Sequence, residues 1–124
     1  MNEDSPPRAL RDLDSLRERL REFAQARDWD PFHSPKNLAM ALIVEAAELV
    51  EHFQWLTQSQ SAELDPPRKA AVADELADVL IYLVRIADKL DIDLLAAATA
   101  KMAKNEAKYP ATLVRGSARK YSEY

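Results

Sequence analysis

The sequence predicts an all-α protein, an antiparallel four-helix bundle, on three observations. Apolar residues recur at three- and four-residue steps along four stretches, the period of a helix with a buried face. Two of these stretches open on a cap residue followed by proline, Ser34-Pro35 and Asp65-Pro66, which suits a helix start. The third observation is a scarcity. The chain holds one glycine, Gly116, whereas the hairpins of a multi-stranded sheet depend on turn-formers of that kind.

Residues 1–8 are mostly polar, contain Pro6-Pro7 and read as a flexible lead. From about Ala9 to Arg27, Leu10, Leu13, Leu16, Leu20, Phe23 and Ala24 mark an amphipathic first helix. The stretch Asp28-Trp29-Asp30-Pro31-Phe32-His33 breaks it, because Pro31 disfavours helix at Asp30. A second helix is expected from Pro35 to about Leu56, a polar loop from Thr57 to Pro66, and a third helix from Pro67 to Leu90. Asp91 is expected to cap a fourth, Ile92 to Lys108, which Pro110 ends. Residues 111–124 read as a basic tail with Arg115, Arg119 and Lys120. Helix three carries Leu76, Val79, Leu80, Ile81, Leu83, Val84 and Ile86, more than one stripe requires. A helix apolar on several faces is buried on several faces, so a homotetramer or homodimer through helices two and three is expected.

Composition narrows the function. Apolar residues make up 48% of the chain, which supports a folded domain over a disordered one. A net charge of −4 argues against general nucleic-acid binding, and it means a polyphosphate would need metal ions to approach. With no cysteine, disulfides and thiolate metal sites are excluded, which fits a cytoplasmic protein. The acidic start does not read as a signal peptide, and no apolar run is long enough for a membrane span.

Within the two most apolar helices lie two acid pairs, Glu45-Ala46-Ala47-Glu48 and Glu75-Leu76-Ala77-Asp78. Acids three residues apart on a helix share a face, and no lysine or arginine stands three or four residues away to pair with them. Solvation is the bland explanation for one such pair; for two facing pairs, an all-oxygen cage for Mg²⁺ or Mn²⁺ is the sharper one. A di-iron bundle would need Glu-x-x-His on two helices. His33 and His52 are the only histidines, and neither follows a glutamate by three.

ExxE on one helix and ExxD about thirty residues on resembles the MazG-like all-α nucleoside triphosphate pyrophosphohydrolases. Arg27-Asp28-Trp29, Phe32-His33, Asn37, Phe53-Gln54-Trp55, the run Asp74 to Leu83, Lys101-Met102, Asn105, Lys108-Tyr109-Pro110 and Arg119-Lys120-Tyr121 resemble the dCTP pyrophosphatase branch in particular. The likeness runs in order over residues 10–122 and implies a MazG-like catalytic domain across residues 9–110. It implies hydrolysis of dCTP, or of a modified dCTP, between the α and β phosphates to dCMP and pyrophosphate, as house-cleaning of the nucleotide pool. Glu45, Glu48, Glu75 and Asp78 would hold Mg²⁺, and one of them would take a proton from the attacking water. Trp29, Trp55 and His33 would contribute to the nucleoside pocket, with Phe32 and Asn37 beside them, and Tyr82 would border the sugar or phosphate. Lys101 and Asn105, with Tyr109 following, would bind phosphate. The mammalian-type members carry a histidine late in the first helix where Leu20 stands here. Two alternatives stay open at this level: a dUTP-preferring or broad-specificity pyrophosphatase, and a non-enzymatic helical oligomerisation module with solvated acids.

Overall fold

A computed structural model describes residues 9–118, and every regular element among them is a helix. The expected lead, residues 1–8, and Arg119, Lys120 and Tyr121 lie outside the described residues. The chain divides into two compact units after Asp91.

In the first unit, α1 (Leu13–Ala26) begins later than the apolar period suggests. Asp12 and Ser15 form a reciprocal capping box. The Asp12 carboxylate accepts the Ser15 N–H at 2.7 Å, and the Ser15 hydroxyl oxygen accepts the Asp12 N–H at 3.1 Å. Leu10 is left outside the helix. At the other end, the chain needs a left-handed residue to turn and has no glycine to supply it. Asp28 does so at φ 53°, with its N–H on the Gln25 carbonyl at 3.1 Å and the Trp29 N–H on the Ala24 carbonyl at 2.9 Å. That pair of bonds is a Schellman motif, whose usual apolar contact joins the residue after the turn to the last helical turn. Here the contact is Trp29 edge-on to Phe23, with ring centroids 5.6 Å apart.

A short 3₁₀ turn, Asp30–Phe32, leads into α2 (Pro35–Glu51), capped by Ser34 as its sequence predicts. The stretch expected to be a loop contains α3 (Gln58–Ala62), held by a second reciprocal box between Thr57 and Gln60. Next comes α4 (Pro66–Lys89), capped by Asp65. Its first turn meets the end of α2, where Arg68 donates to the His52 carbonyl at 3.2 Å. Its last turns meet the residues just before α2, where Arg85 and Lys89 donate to Asp30. These contacts make α2 and α4 antiparallel. Helix α1 packs on α4 as well, fastened by Arg21, which grips Asp88 with two donors. Leu16 and Ala24 of α1, Leu38 of α2, and Val72, Val84 and Ala87 of α4 form the buried core. Met40, Ile43, Val44 and Val50 of α2 and Leu76, Leu80 and Leu83 of α4 are exposed.

The second unit holds α5 (Leu94–Lys108) and α6 (Ala111–Val114), the latter within the stretch read as a tail. The expectation that Asp91 caps α5 is corrected. Asp93 accepts the Ala96 N–H at 3.0 Å and starts the helix, while Asp91 takes φ 53° in the turn that follows α4. No described helix is long and apolar enough to cross a membrane.

Candidate functional site

Helices α2 and α4 bring Glu45, Glu48 and Glu75 together, with one carboxylate oxygen from each lying within 4.8 Å of the others. The third acid arrives because the antiparallel pairing sets the middle of α4 opposite the middle of α2. Oε2 of Glu45 and Oε2 of Glu75 are buried and accept no hydrogen bond from any described residue. Buried carboxylate oxygens without donors are costly in a folded protein. Burial, the adjoining Glu48 and Glu75 carboxyls, and the negative charges of Glu48 and Asp78 push Glu45 up to about 7. The donor set is all oxygen, anionic and unsatisfied, which is what a hard divalent cation requires. His52 adds Nε2 at 3.9 Å from Glu75 Oε1.

Asp78, one turn beyond Glu75, lies outside that trio but close enough for its charge to act on Glu45. It also lines a cavity of about 570 Å³ between α1 and α4, a size in the usual range for small-molecule sites. The cavity therefore begins where the acid cluster ends. Tyr82, Ile81 and Arg85 continue its α4 wall, Leu16, Leu20 and Phe23 line its α1 wall, and Trp29 and His33 contribute from the connecting segment. Burial, followed by the charges of Glu45 and Asp78, raises the Tyr82 phenol, so it remains a neutral donor at the acid end. Trp29 is 44% exposed and tilts towards His33, with ring centroids 6.2 Å apart. Leu20, the residue standing where a histidine was expected from the resemblance, is part of this wall.

The remaining expected residues are placed differently. The Asn37 side chain donates to the Phe32 carbonyl at 3.0 Å and so supports the entry to α2. Phe32 is 67% exposed and Trp55, beyond the end of α2, is 86% exposed; neither lines the cavity. Lys101 and Asn105 are exposed one turn apart on α5, with Tyr109 at its C-cap, all in the second unit.

Sequence reasoning passed over Arg85. It is the one buried charged residue among the described residues, only 3% exposed. Its guanidinium donates to Asp30 Oδ1 at 2.9 Å, lies 3.2 Å from His33 Nδ1, and comes within 3.7 Å of Asp88. A charge within the apolar run Val79 to Ile86 was the available signal.

Comparison with known proteins places the chain among relatives. The model of the MazG-like family matches residues 40–124. The chain is similar to dCTP pyrophosphatase 1 of Homo sapiens, 46% identical over 113 residues that cover 90% of this chain and 66% of that protein. The Mus musculus protein of the same name is 45% identical with the same coverage. The chain thus spans just under two thirds of the length of these relatives. Among solved structures, a pyrophosphatase from Archaeoglobus fulgidus matches with a TM-score of 0.76 and 41% identity, over 86% of this chain and 99% of that one.

Proposed function

The chain belongs to the MazG-like family, and we propose that it is a nucleoside triphosphate pyrophosphohydrolase. In this reading it cleaves dCTP or a modified dCTP between the α and β phosphates, releasing dCMP and pyrophosphate in the cytoplasm. The observation that carries the reading is the continuity of two features along α4. An unsatisfied carboxylate cluster passes, through Asp78 and Tyr82, into a cavity with an indole and an imidazole on its wall.

Glu45, Glu48, Glu75 and Asp78 would hold Mg²⁺, or Mn²⁺ in its place. When bound, the ion would neutralise phosphate charge and acidify an attacking water. The protein's own residues supply position. Trp29, braced by Phe23, offers a face for a base, and stacking of that kind is worth about 1–3 kcal/mol. Tyr82 offers a neutral hydroxyl at the junction of base and phosphate ends. Lys101 and Asn105 are the proposed phosphate ligands.

We also place the protein in a homotetramer or homodimer whose chains each contribute an antiparallel four-helix bundle. The exposed apolar residues of α2 and α4, with Trp55 beyond them, support a surface that a second copy covers.

A panel of nucleoside triphosphates with Mg²⁺, with products resolved as pyrophosphate or orthophosphate, tests the activity. Pyrophosphate with a preference for dCTP is expected. Orthophosphate alone would refute α–β cleavage, and equal rates across bases would refute the cytosine preference.

A further inference from the structure

The cavity's nitrogen donors are arranged in a way that the metal cluster does not explain. Arg85 is buried and lines the cavity, yet its guanidinium turns towards Asp30 and the Nδ1 face of His33. Arginine carries donors only and has no lone pair to offer. At 3.2 Å from Nδ1, it therefore requires that nitrogen to be the acceptor, which places the ring proton on Nε2. Nε2 accepts from and donates to no described residue. Asp30 keeps Arg85 in place and is itself held from a second side by Lys89 at 3.0 Å.

We propose that Arg85 is a positioning residue for base recognition: it fixes His33 as the Nε2–H tautomer, so that His33 presents a donor and no acceptor to the cavity. This rests on the reading of the cavity as a nucleoside pocket. Its consequence is a base preference with a physical cause. The pairing edge of cytosine offers N3 and O2 as neighbouring acceptors, which a lone donor satisfies. Uracil and thymine carry a proton on N3, so an imidazole aimed at N3 would set N–H against N–H there, with only the carbonyl oxygens, one of them shared with cytosine, left as acceptors. A site that leaves a buried polar group unpaired rejects the wrong ligand strongly. Burial and the nearby charges of Arg85 and Lys89 lower the His33 pKa, against a smaller opposing pull from Asp30, which keeps the ring neutral.

Two measurements test this separately from the function. Long-range proton–nitrogen NMR on the nucleotide-free, chelator-treated protein reads the His33 tautomer directly. Protonated Nε2 with bare Nδ1 is expected in the wild type and in Arg85→Lys, which keeps a donor. A mixture of tautomers is expected in Arg85→Met. Protonated Nδ1 in the wild type overturns the proposal whatever the cavity binds. Calorimetry with dCMP and dUMP as probes then reads selectivity. The wild type is expected to favour dCMP, and Arg85→Met to reduce that ratio by about tenfold while Arg85→Lys retains most of it. Should Arg85→Met fail to fold, His33→Gln serves instead, because its amide can flip to donate or accept and should likewise erase the preference. An unchanged ratio in these variants overturns the proposal. Failure of both probes to bind a wild type that shows the expected tautomer overturns the nucleoside-pocket reading, and the base-reading role with it.

Discussion

Replacing Glu45 by glutamine should change stability in opposite directions with and without magnesium. In the chelated protein, Glu45 is raised from its ordinary 4.5 to about 7, burial first and the neighbouring carboxyls second. Its folded-state value lies above its unfolded one, so the folded protein binds more protons between those two values. Stability must therefore fall as pH rises through that window and stay low above it. A displacement of this size corresponds to roughly 3 kcal/mol between the charged and neutral forms. Screening of a partly exposed side chain reduces it to about 1–2 kcal/mol. Glu45→Gln removes the charge, so at about pH 8 the chelated variant should be more stable than wild type by that amount. With Mg²⁺ at a hundred times its Kd, the wild type should gain about 2.7 kcal/mol, on the order of 10 °C in Tm for a domain of this size. The variant, with the negative charge gone and one carboxylate oxygen replaced by an NH2 group, should gain little. Thermal unfolding at several pH values, with chelator and with Mg²⁺, measures both arms. An equal Mg²⁺ response in the two proteins would refute the cation site. An unchanged pH slope in the variant would refute the crowding of Glu45.

Two further outcomes follow from the way the chain is turned and tied. Asp28 holds φ 53°, where most side chains strain. Asp28→Gly should raise stability by about 0.5–1 kcal/mol and Asp28→Val should lower it by about 1–2 kcal/mol, with dCMP binding falling in the valine variant as Trp29 shifts. Chemical denaturation and calorimetry read the two effects, and a valine variant as stable as wild type would contradict the turn's role. Asp88 is held below its ordinary carboxylate value, chiefly by its hydrogen bonds to Arg21. Its contribution is present above the unfolded value and disappears as pH falls through the folded one. Asp88→Asn should cost about 2 kcal/mol at neutral pH and flatten the acid limb of the stability curve; an acid limb identical to wild type would show that the pair does no such work.

The acid pairs were legible because a charge inside an apolar helix is conspicuous and its three-residue spacing is a statement about geometry. The helix ends were less so. Glycine normally announces a left-handed turn, and here Asp28 and Asp91 take that role. Aspartate is also among the favoured helix caps, so Asp91 was readable as the start of α5 when Asp93 performs that function. The five-residue α3 was hidden in a polar stretch, although Thr57 and Gln60 carry the spacing of a capping box. Arg85 escaped for a different reason. Its partners Asp30 and His33 stand 55 and 52 residues away, so no local pattern relates them. What was visible was only its oddity, an arginine in an apolar run, which is the same oddity that exposed the acids.

These two classes of residue meet on one helix. Glu75, Asp78, Tyr82 and Arg85 follow one another at steps of three, four and three, which keeps them on a single face of α4. With a rise of about 1.5 Å per residue, the proposed cation end and the proposed base end of that face are separated by roughly 15 Å. The separation is set by helix pitch, with no loop in between to vary. Residues from elsewhere must be brought to this ruler, and each has a tie that does so. The antiparallel pairing delivers Glu45 and Glu48, the Asp28 turn delivers Trp29 against Phe23, and the Arg85–Asp30 bond delivers His33. An added or deleted residue between Asp78 and Tyr82 would turn Glu75 and Asp78 about 100° away from Tyr82 and Arg85, so that the two ends could no longer engage one ligand. The repeating three-and-four spacing is thus more than a sign of helix. Under the proposed function, it specifies the distance over which a phosphate chain and a base would be held.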